Sequence, residues 1–463
     1  MSLLIKNGRI ITSSDDFVSD VLIQGEKILA IGKDLPNPVD RVINASGKYV
    51  IPGGIDVHTH LDMPLGNISS SDDFETGTIA AAFGGTTTIV DFPTQSRGKS
   101  LHDAFKLWQT KAQGKSVIDY GFHMIVTDVN DSILDEMDQL VADGITSFKL
   151  FTAYPGALML DDASIFRVMQ RAKKNGALIM MHAENGSVIS ELVKNALQQG
   201  NTNPIYHALT RPSILEGEAT YRTIALAEVA GVPCYIVHVT CAEALNAIIH
   251  ARQKGLPVFG ETCPHYLLLS EDDLRKPDFE GAKYVLSPPL RPRWHQEKLW
   301  QSLSDGSLSI VATDHCPFNL KGQKELGQGD FTKIPNGAPG IENRLHLTYE
   351  FGVNQKRFSL NRWVELVSTN PAKIFGMYPQ KGEIAIGSDA DIVIWNPDTE
   401  YTISASTHHM RVDYNMFEGF NVKGNAETVI SRGEIIIQNN QFLGRPGCGK
   451  FLKRKLYSPS LIN

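Results

Sequence analysis

The sequence predicts an α/β protein: a (β/α)8 barrel of the TIM type, joined to a small β-sandwich-like domain built from both chain ends. Three observations carry this expectation. Between residues 53 and 375, apolar runs of strand length alternate eight times with helical stretches. Residues 1–52 and 376–443 read instead as short strands divided by turn signals. With 463 residues, 42% hydrophobic and 21% charged, the chain is long enough for one large barrel and an accessory domain.

Taken in order, the N-terminal strands are expected at Leu3–Ile5, Arg9–Ile11, Val21–Ile23, Ile28–Ile31 and Tyr49–Ile51. The same texture returns at Gly382–Ile386, Asp391–Trp395 and Val429–Ile437, so both ends are assigned to one discontinuous domain. The barrel strands are expected at Gly54–Val57, Thr87–Asp91, Tyr120–Val126, Thr146–Phe151, Leu178–His182, Tyr235–Val239, Val258–Glu261 and Leu308–Thr313. Catalytic residues of such barrels sit at the C-terminal ends of the strands. A doubly wound sheet is the alternative, disfavoured because no Gly-rich nucleotide fingerprint follows the first strand. Residues 444–463 read as an extended tail, with Lys450, Lys453, Arg454 and Lys455 decorating its solvated surface.

The formal charge of -7, from 44 basic and 51 acidic residues, is modest and unclustered, which argues against nucleic-acid and polybasic membrane-binding functions. Five cysteines (Cys234, Cys241, Cys263, Cys316, Cys448) form no CxxC pair, and the N-terminus shows no signal-peptide pattern, so a reducing cytoplasm is expected. No apolar run approaches the roughly 20 residues of a membrane span.

Polar residues interrupt or end the apolar runs. In Gly53-Gly54-Ile55-Asp56-Val57-His58-Thr59-His60, alternation along a strand puts His58 and His60 on one face, where both reach a single ion. Lys149 lies inside Ser147-Phe148-Lys149-Leu150-Phe151, and an ammonium so flanked must be paired, deprotonated or modified. His182 ends the fifth run, His238 lies in the sixth, and Asp314 ends the eighth. Singly, a histidine at a strand end is more often a hydrogen-bonded structural residue. Together, four histidines, a lysine and an aspartate at one barrel mouth make ligands for two divalent ions, zinc before manganese or cobalt.

These residues belong to motifs that resemble the dihydropyrimidinase and hydantoinase group of cyclic amidohydrolases, within the metal-dependent amidohydrolase superfamily. The motifs are Pro52-Gly-Gly-Ile-Asp-Val-His-Thr-His-Leu-Asp-Met-Pro, Gly84-Gly-Thr-Thr-Thr, Ser147-Phe-Lys, Met181-His-Ala-Glu-Asn-Gly, Val237-His-Val-Thr, Ser287-Pro-Pro-Leu-Arg, Thr313-Asp-His-Cys-Pro-Phe and Ile334-Pro-Asn-Gly. The likeness runs over essentially the whole chain. It implies that Lys149 is carbamylated by CO2 to N6-carboxylysine and bridges two metal ions. It also implies that His58, His60 and Asp314 bind one ion and His182 and His238 the other.

Two such ions activate water at neutral pH and polarise the scissile carbonyl. Asp314 is then expected to take the proton and return it to the departing ring nitrogen. Tyr154 resembles the family tyrosine that hydrogen-bonds the tetrahedral oxyanion. Ser287 and Asn336 resemble the positions that grip the cyclic amide, largely through main-chain groups; both also adjoin turn formers, so a structural turn is the competing account.

The expected reaction opens a hydantoin or dihydropyrimidine ring to an N-carbamoyl amino acid. Dihydroorotase is ranked low, because Asp62 stands where those enzymes resemble one another in having arginine. Allantoinase is the nearer alternative, and Leu61-Asp62-Met63-Pro64 is more similar to the hydantoinase pattern. Met63, Leu65, Phe151 and Leu158 form an apolar set suited to hydrophobic 5-substituents. From another class, non-enzymatic scaffold relatives resemble hydantoinases but have lost metal ligands, all six of which are present here. No role is assigned to His265 or His315, and Cys316 reads as a buried small hydrophobe. The resemblance implies a homotetramer, with a dimer as the alternative.

Overall fold

The computed structural model describes residues 2–35 and 38–461. Eight parallel strands form the barrel: Gly54–Thr59, Thr86–Asp91, Asp119–Phe122 continued by Met124–Ile125, Ser147–Phe151, Leu178–His182, Cys234–Ile236, Val258–Thr262 and Ile310–Val311. Ring closure comes from His60 N donating to His315 O at 2.8 Å and Ile125 N donating to Pro93 O at 2.9 Å. Each of the eight coincides with an apolar run of the sequence.

Strand alternation sorts the side chains into two layers. Ile55, Val57, Val90, Phe92, Ile125, Phe151, Leu178, Met180, Tyr235, Val237, Phe259, Ile310 and Ala312 form an inner cluster, floored by Ile374, Phe375 and Met377. Their neighbours, among them Ile89, Phe148, Leu150, Ile179, Met181, Ile236 and Val311, face the surrounding helices. Those helices start where the sequence supplies a cap: Ser100, Asn130, Asp161 and Asn185 each accept a hydrogen bond from a first-turn backbone N–H. Gly176 ends one of them at φ 78°, the left-handed conformation that glycine adopts without cost.

Both chain ends contribute to one mixed sheet of nine strands, in which Tyr49–Pro52 pairs with Ile392–Thr402 and so joins the two halves. Leu3, Ile5, Ile10, Val21, Ile23, Val50, Ile392, Ile394 and Ile430 form its core. Lys381 ties this sheet to the barrel, with Nζ 2.6 Å from Asp119, 3.0 Å from Asp389 and 2.5 Å from Asp391. The three aspartates would suit a metal cation, but the lysine ammonium already lies among them.

In the tail Lys450, Lys453 and Lys455 are exposed as expected, and Arg454 departs from expectation. The tail follows the outside of the barrel, with Leu452 N donating to Tyr120 O at 2.7 Å and Arg454 N to Gly144 O at 3.1 Å. Arg454 is 4% exposed rather than solvated, and its Nη2 donates to Ser147 Oγ at 2.8 Å and to Phe122 O. A guanidinium held through one nitrogen by backbone and hydroxyl acceptors leaves no pairing signal in the sequence.

Candidate active site

The first strand slips register against its neighbour between Asp56 and Thr59, where it delivers two histidines to the barrel mouth. The His58 and His60 rings lie 5.3 Å apart, and their Nε2 atoms are 3.1 and 3.2 Å from Asp314 Oδ1. Ligand atoms of these three residues lie within 4.8 Å of one another. Lys149 Nζ is 2.9 Å from His58 Nε2 and 4.3 Å from the centre of the Phe92 ring. His182 Nδ1 faces His238 Nε2 at 2.9 Å, and the His238 ring is 5.5 Å from that of His58. All six expected ligands therefore meet in one buried cluster.

Carboxylates behind the histidines orient them, and sequence reasoning missed both. The His58 Nδ1–H donates to Glu261, which also accepts from the Tyr235 hydroxyl at 2.7 Å and His238 N at 3.3 Å. The His182 Nε2–H donates to Glu184 Oε2 at 2.8 Å. Assigning the proton to the carboxylate side leaves a lone pair on His58 Nε2 and His182 Nδ1, both aimed at the cluster centre. Their sequence signals were present: Glu184 is two residues after His182, and Glu261 ends an apolar strand.

Lone pairs of several imidazoles and the Asp314 carboxylate thus converge on one buried volume. Such a donor set requires positive charge between its members, and a single lysine amine supplies too little for the whole group. The residues therefore fit divalent ions. Burial draws the Lys149 ammonium down to about 8 and His60 down to about 4. Burial also opposes charge on Asp314, yet the adjoining His58 and His60 hold its carboxyl well below the usual carboxylate range.

Three residues here carry left-handed backbone that non-glycine residues rarely adopt: Tyr154 at φ 63°, His238 at φ 39° and Asp314 at φ 50°. Such strain persists where surrounding structure enforces it, and it gathers at functional sites. At His238 it breaks the strand's alternation, after Tyr235 and Val237 have faced inward.

Tyr154 packs 5.4 Å from the His182 ring, with its hydroxyl near the Ser287 and Asn336 side chains. Burial, reinforced by Glu184, pushes the phenol up to about 12, so it is a neutral donor at physiological pH. The backbone N–H and C=O groups of both Ser287 and Asn336 have no partner among the described residues. Ser287 Oγ rests 3.2 Å from His207 Nε2, whose proton goes to Leu286 O at 2.8 Å.

Of the apolar set, Phe151 stacks 5.1 Å from the His182 ring, and Leu158 joins the cluster that contains Phe151 and Tyr154. Leu65 is 42% exposed on a two-stranded hairpin, Pro64–Leu65 with Ile68–Ser69, and half-buried Met63 leads into it. Asp62 lies 3.6 Å from Lys111. His315 turns away from the cluster to Asp72 at 3.1 Å and the Gly340 N–H at 3.1 Å, and Cys316 is buried, as expected.

A closed parallel barrel whose strand ends gather imidazoles, a lysine and an aspartate is the scaffold of a metal-dependent hydrolase. Residues 49–436 match the model of the Amidohydrolase family, and the chain belongs to that family. It is 54% identical over 458 residues to the D-hydantoinase of Geobacillus stearothermophilus, covering 99% of this chain and 97% of that protein. It is also 54% identical over 456 residues to a D-hydantoinase of Streptomyces coelicolor, covering 97% of each. The solved structure of dihydropyrimidinase from Brevibacillus agri superposes with a TM-score of 0.98 at 55% identity, over 99% of this chain and 100% of that one.

Proposed function

We propose that this protein is a D-selective cyclic amidohydrolase that opens hydantoins and dihydropyrimidines to N-carbamoyl amino acids. Its full-length similarity to D-hydantoinases supports the reaction class. The observation that carries the substrate reading is the set of unpartnered peptide groups at Ser287 and Asn336 beside the Tyr154 hydroxyl. A cyclic amide offers alternating N–H and C=O groups, the complement of those two peptides.

On this reading His58, His60 and Asp314 would hold one divalent ion and His182 and His238 the second, with Lys149, carbamylated on Nζ, supplying carboxylate oxygens as further ligands. Zinc suits this donor set. When bound, the ions supply Lewis acidity and activate water at neutral pH. Asp314 accepts the proton released by the attacking water and passes it to the ring nitrogen as the C–N bond breaks. Tyr154 donates to the carbonyl oxygen as it gains charge. Phe151 and Leu158, with Met63 and Leu65, wall the position of the 5-substituent.

The catalytic unit is 53–375, the small domain 1–52 with 376–443, and the tail 444–463. The protein acts in the cytoplasm as a homotetramer, a dimer being the alternative. Among the described residues no helix is long and apolar enough to cross a membrane. The allantoinase alternative is not favoured by the relatives. Asp62 beside Lys111 offers no free cation to the carboxylate of dihydroorotate.

The test is turnover of dihydrouracil, hydantoin, both enantiomers of 5-phenylhydantoin, allantoin and dihydroorotate on zinc-replete protein. Ring opening of the first two and of the D-phenyl compound is expected. Preference for allantoin or dihydroorotate, or inertness toward all, refutes the assignment.

A further inference from the structure

Lys324 opens a short helical turn, Lys324–Gly327, and its side chain is fully buried. Its Nζ donates to two backbone carbonyls, Val285 O at 3.0 Å and Pro335 O at 2.9 Å. No carboxylate pairs with it among the described residues, and burial draws the ammonium down to about 7. An unpaired buried cation is costly, and an apolar side chain of similar length would fill the space at lower cost.

The two carbonyls belong to the loops that carry the proposed amide-binding groups. Val285 stands two residues before Ser287, and the Pro335 carbonyl shares its peptide with the Asn336 N–H. Gly337 N also donates to Val285 O, at 3.1 Å, so the loops meet at the lysine. A cation on a carbonyl oxygen polarises the whole peptide and strengthens its N–H as a donor.

We propose that Lys324 is a positioning residue for substrate: it clamps the Ser287 and Asn336 loops at the spacing a cyclic amide needs and sharpens the Asn336 N–H as a donor. The inference rests on the reading of Ser287 and Asn336 as the amide-binding pair.

Steady-state kinetics with dihydrouracil and hydantoin on zinc-loaded Lys324→Met, Lys324→Gln and Asn336→Pro test it, with zinc content measured alongside. Lys324→Met should keep its zinc and raise KM by about 10-fold or more while kcat changes far less. Lys324→Gln, whose amide still donates to a carbonyl, should recover part of that loss. Asn336→Pro removes the N–H itself and should also raise KM.

An unchanged KM in Lys324→Met, or a loss confined to kcat and zinc, overturns the proposal. If Lys324→Met does not fold, Lys324→Gln decides: a raised KM supports the clamp and unchanged kinetics overturns it. A raised KM in Asn336→Pro with none in the lysine variants removes the clamp alone. An unmoved KM in Asn336→Pro removes the substrate reading beneath it.

Discussion

Glu184 Oε2 lies 2.8 Å from His182 Nε2, on the side of the ring opposite the nitrogen that faces His238. Glu184 is 2% exposed, so its charge acts at full strength on the imidazole and fixes which nitrogen is free to bind. Glu184→Gln should therefore weaken divalent-ion affinity by roughly 10–100-fold, read by competition with a chelator. Wild-type affinity in the glutamine variant would leave Glu184 as packing only.

Loading of the site should depend on pH through Lys149. Only its neutral amine attacks CO2, giving a carbamate and releasing a proton. Burial sets that group at about 8, so recovery of chelator-stripped protein with zinc at a constant dissolved CO2 concentration should quicken as pH rises through about 8 and then level. The sign in stability is the same. Between about 8 and the ordinary 10.5, the unfolded chain binds the extra proton, so the stripped protein gains stability with rising pH across that window. A reloading rate flat in pH would contradict the depressed amine.

Much of this was legible in the sequence, for a physical reason. A charged or ligating residue inside an apolar run is costly, so His58, Lys149, His182, His238 and Asp314 announced themselves against the eight barrel strands. Glu261 and Lys324 carry meaning through contacts with residues far away in the chain, whereas Glu184, two residues after His182, was in reach of sequence reasoning and was missed; Lys324 is understood only once Val285 and Pro335 are beside it. Arg454 read as solvated for the same reason. Leu65, read from the sequence as pocket wall, is 42% exposed on its hairpin, which hydrophobicity alone does not reveal.

Tyr154→Phe keeps the ring and removes the hydroxyl. If that hydroxyl meets the developing oxyanion, kcat should fall by roughly 10²–10³ with metal content unchanged. A change confined to KM would make Tyr154 a binding residue.

Leu158 and Leu65 should now behave differently. Leu158 packs against the cluster that contains Phe151, whereas Leu65 is 42% exposed. Leu158→Ala should shift kcat/KM from 5-phenylhydantoin toward hydantoin by about 10- to 200-fold, and Leu65→Ala by much less. Equal losses on both substrates in Leu158→Ala would show a loop anchor instead of a wall.

The binuclear centre is tested most directly by metal analysis of protein purified without chelator and with CO2 supplied. Six ligating side chains converging on one buried volume predict close to two divalent ions per chain. No more than one ion per chain in fully active protein would contradict the account.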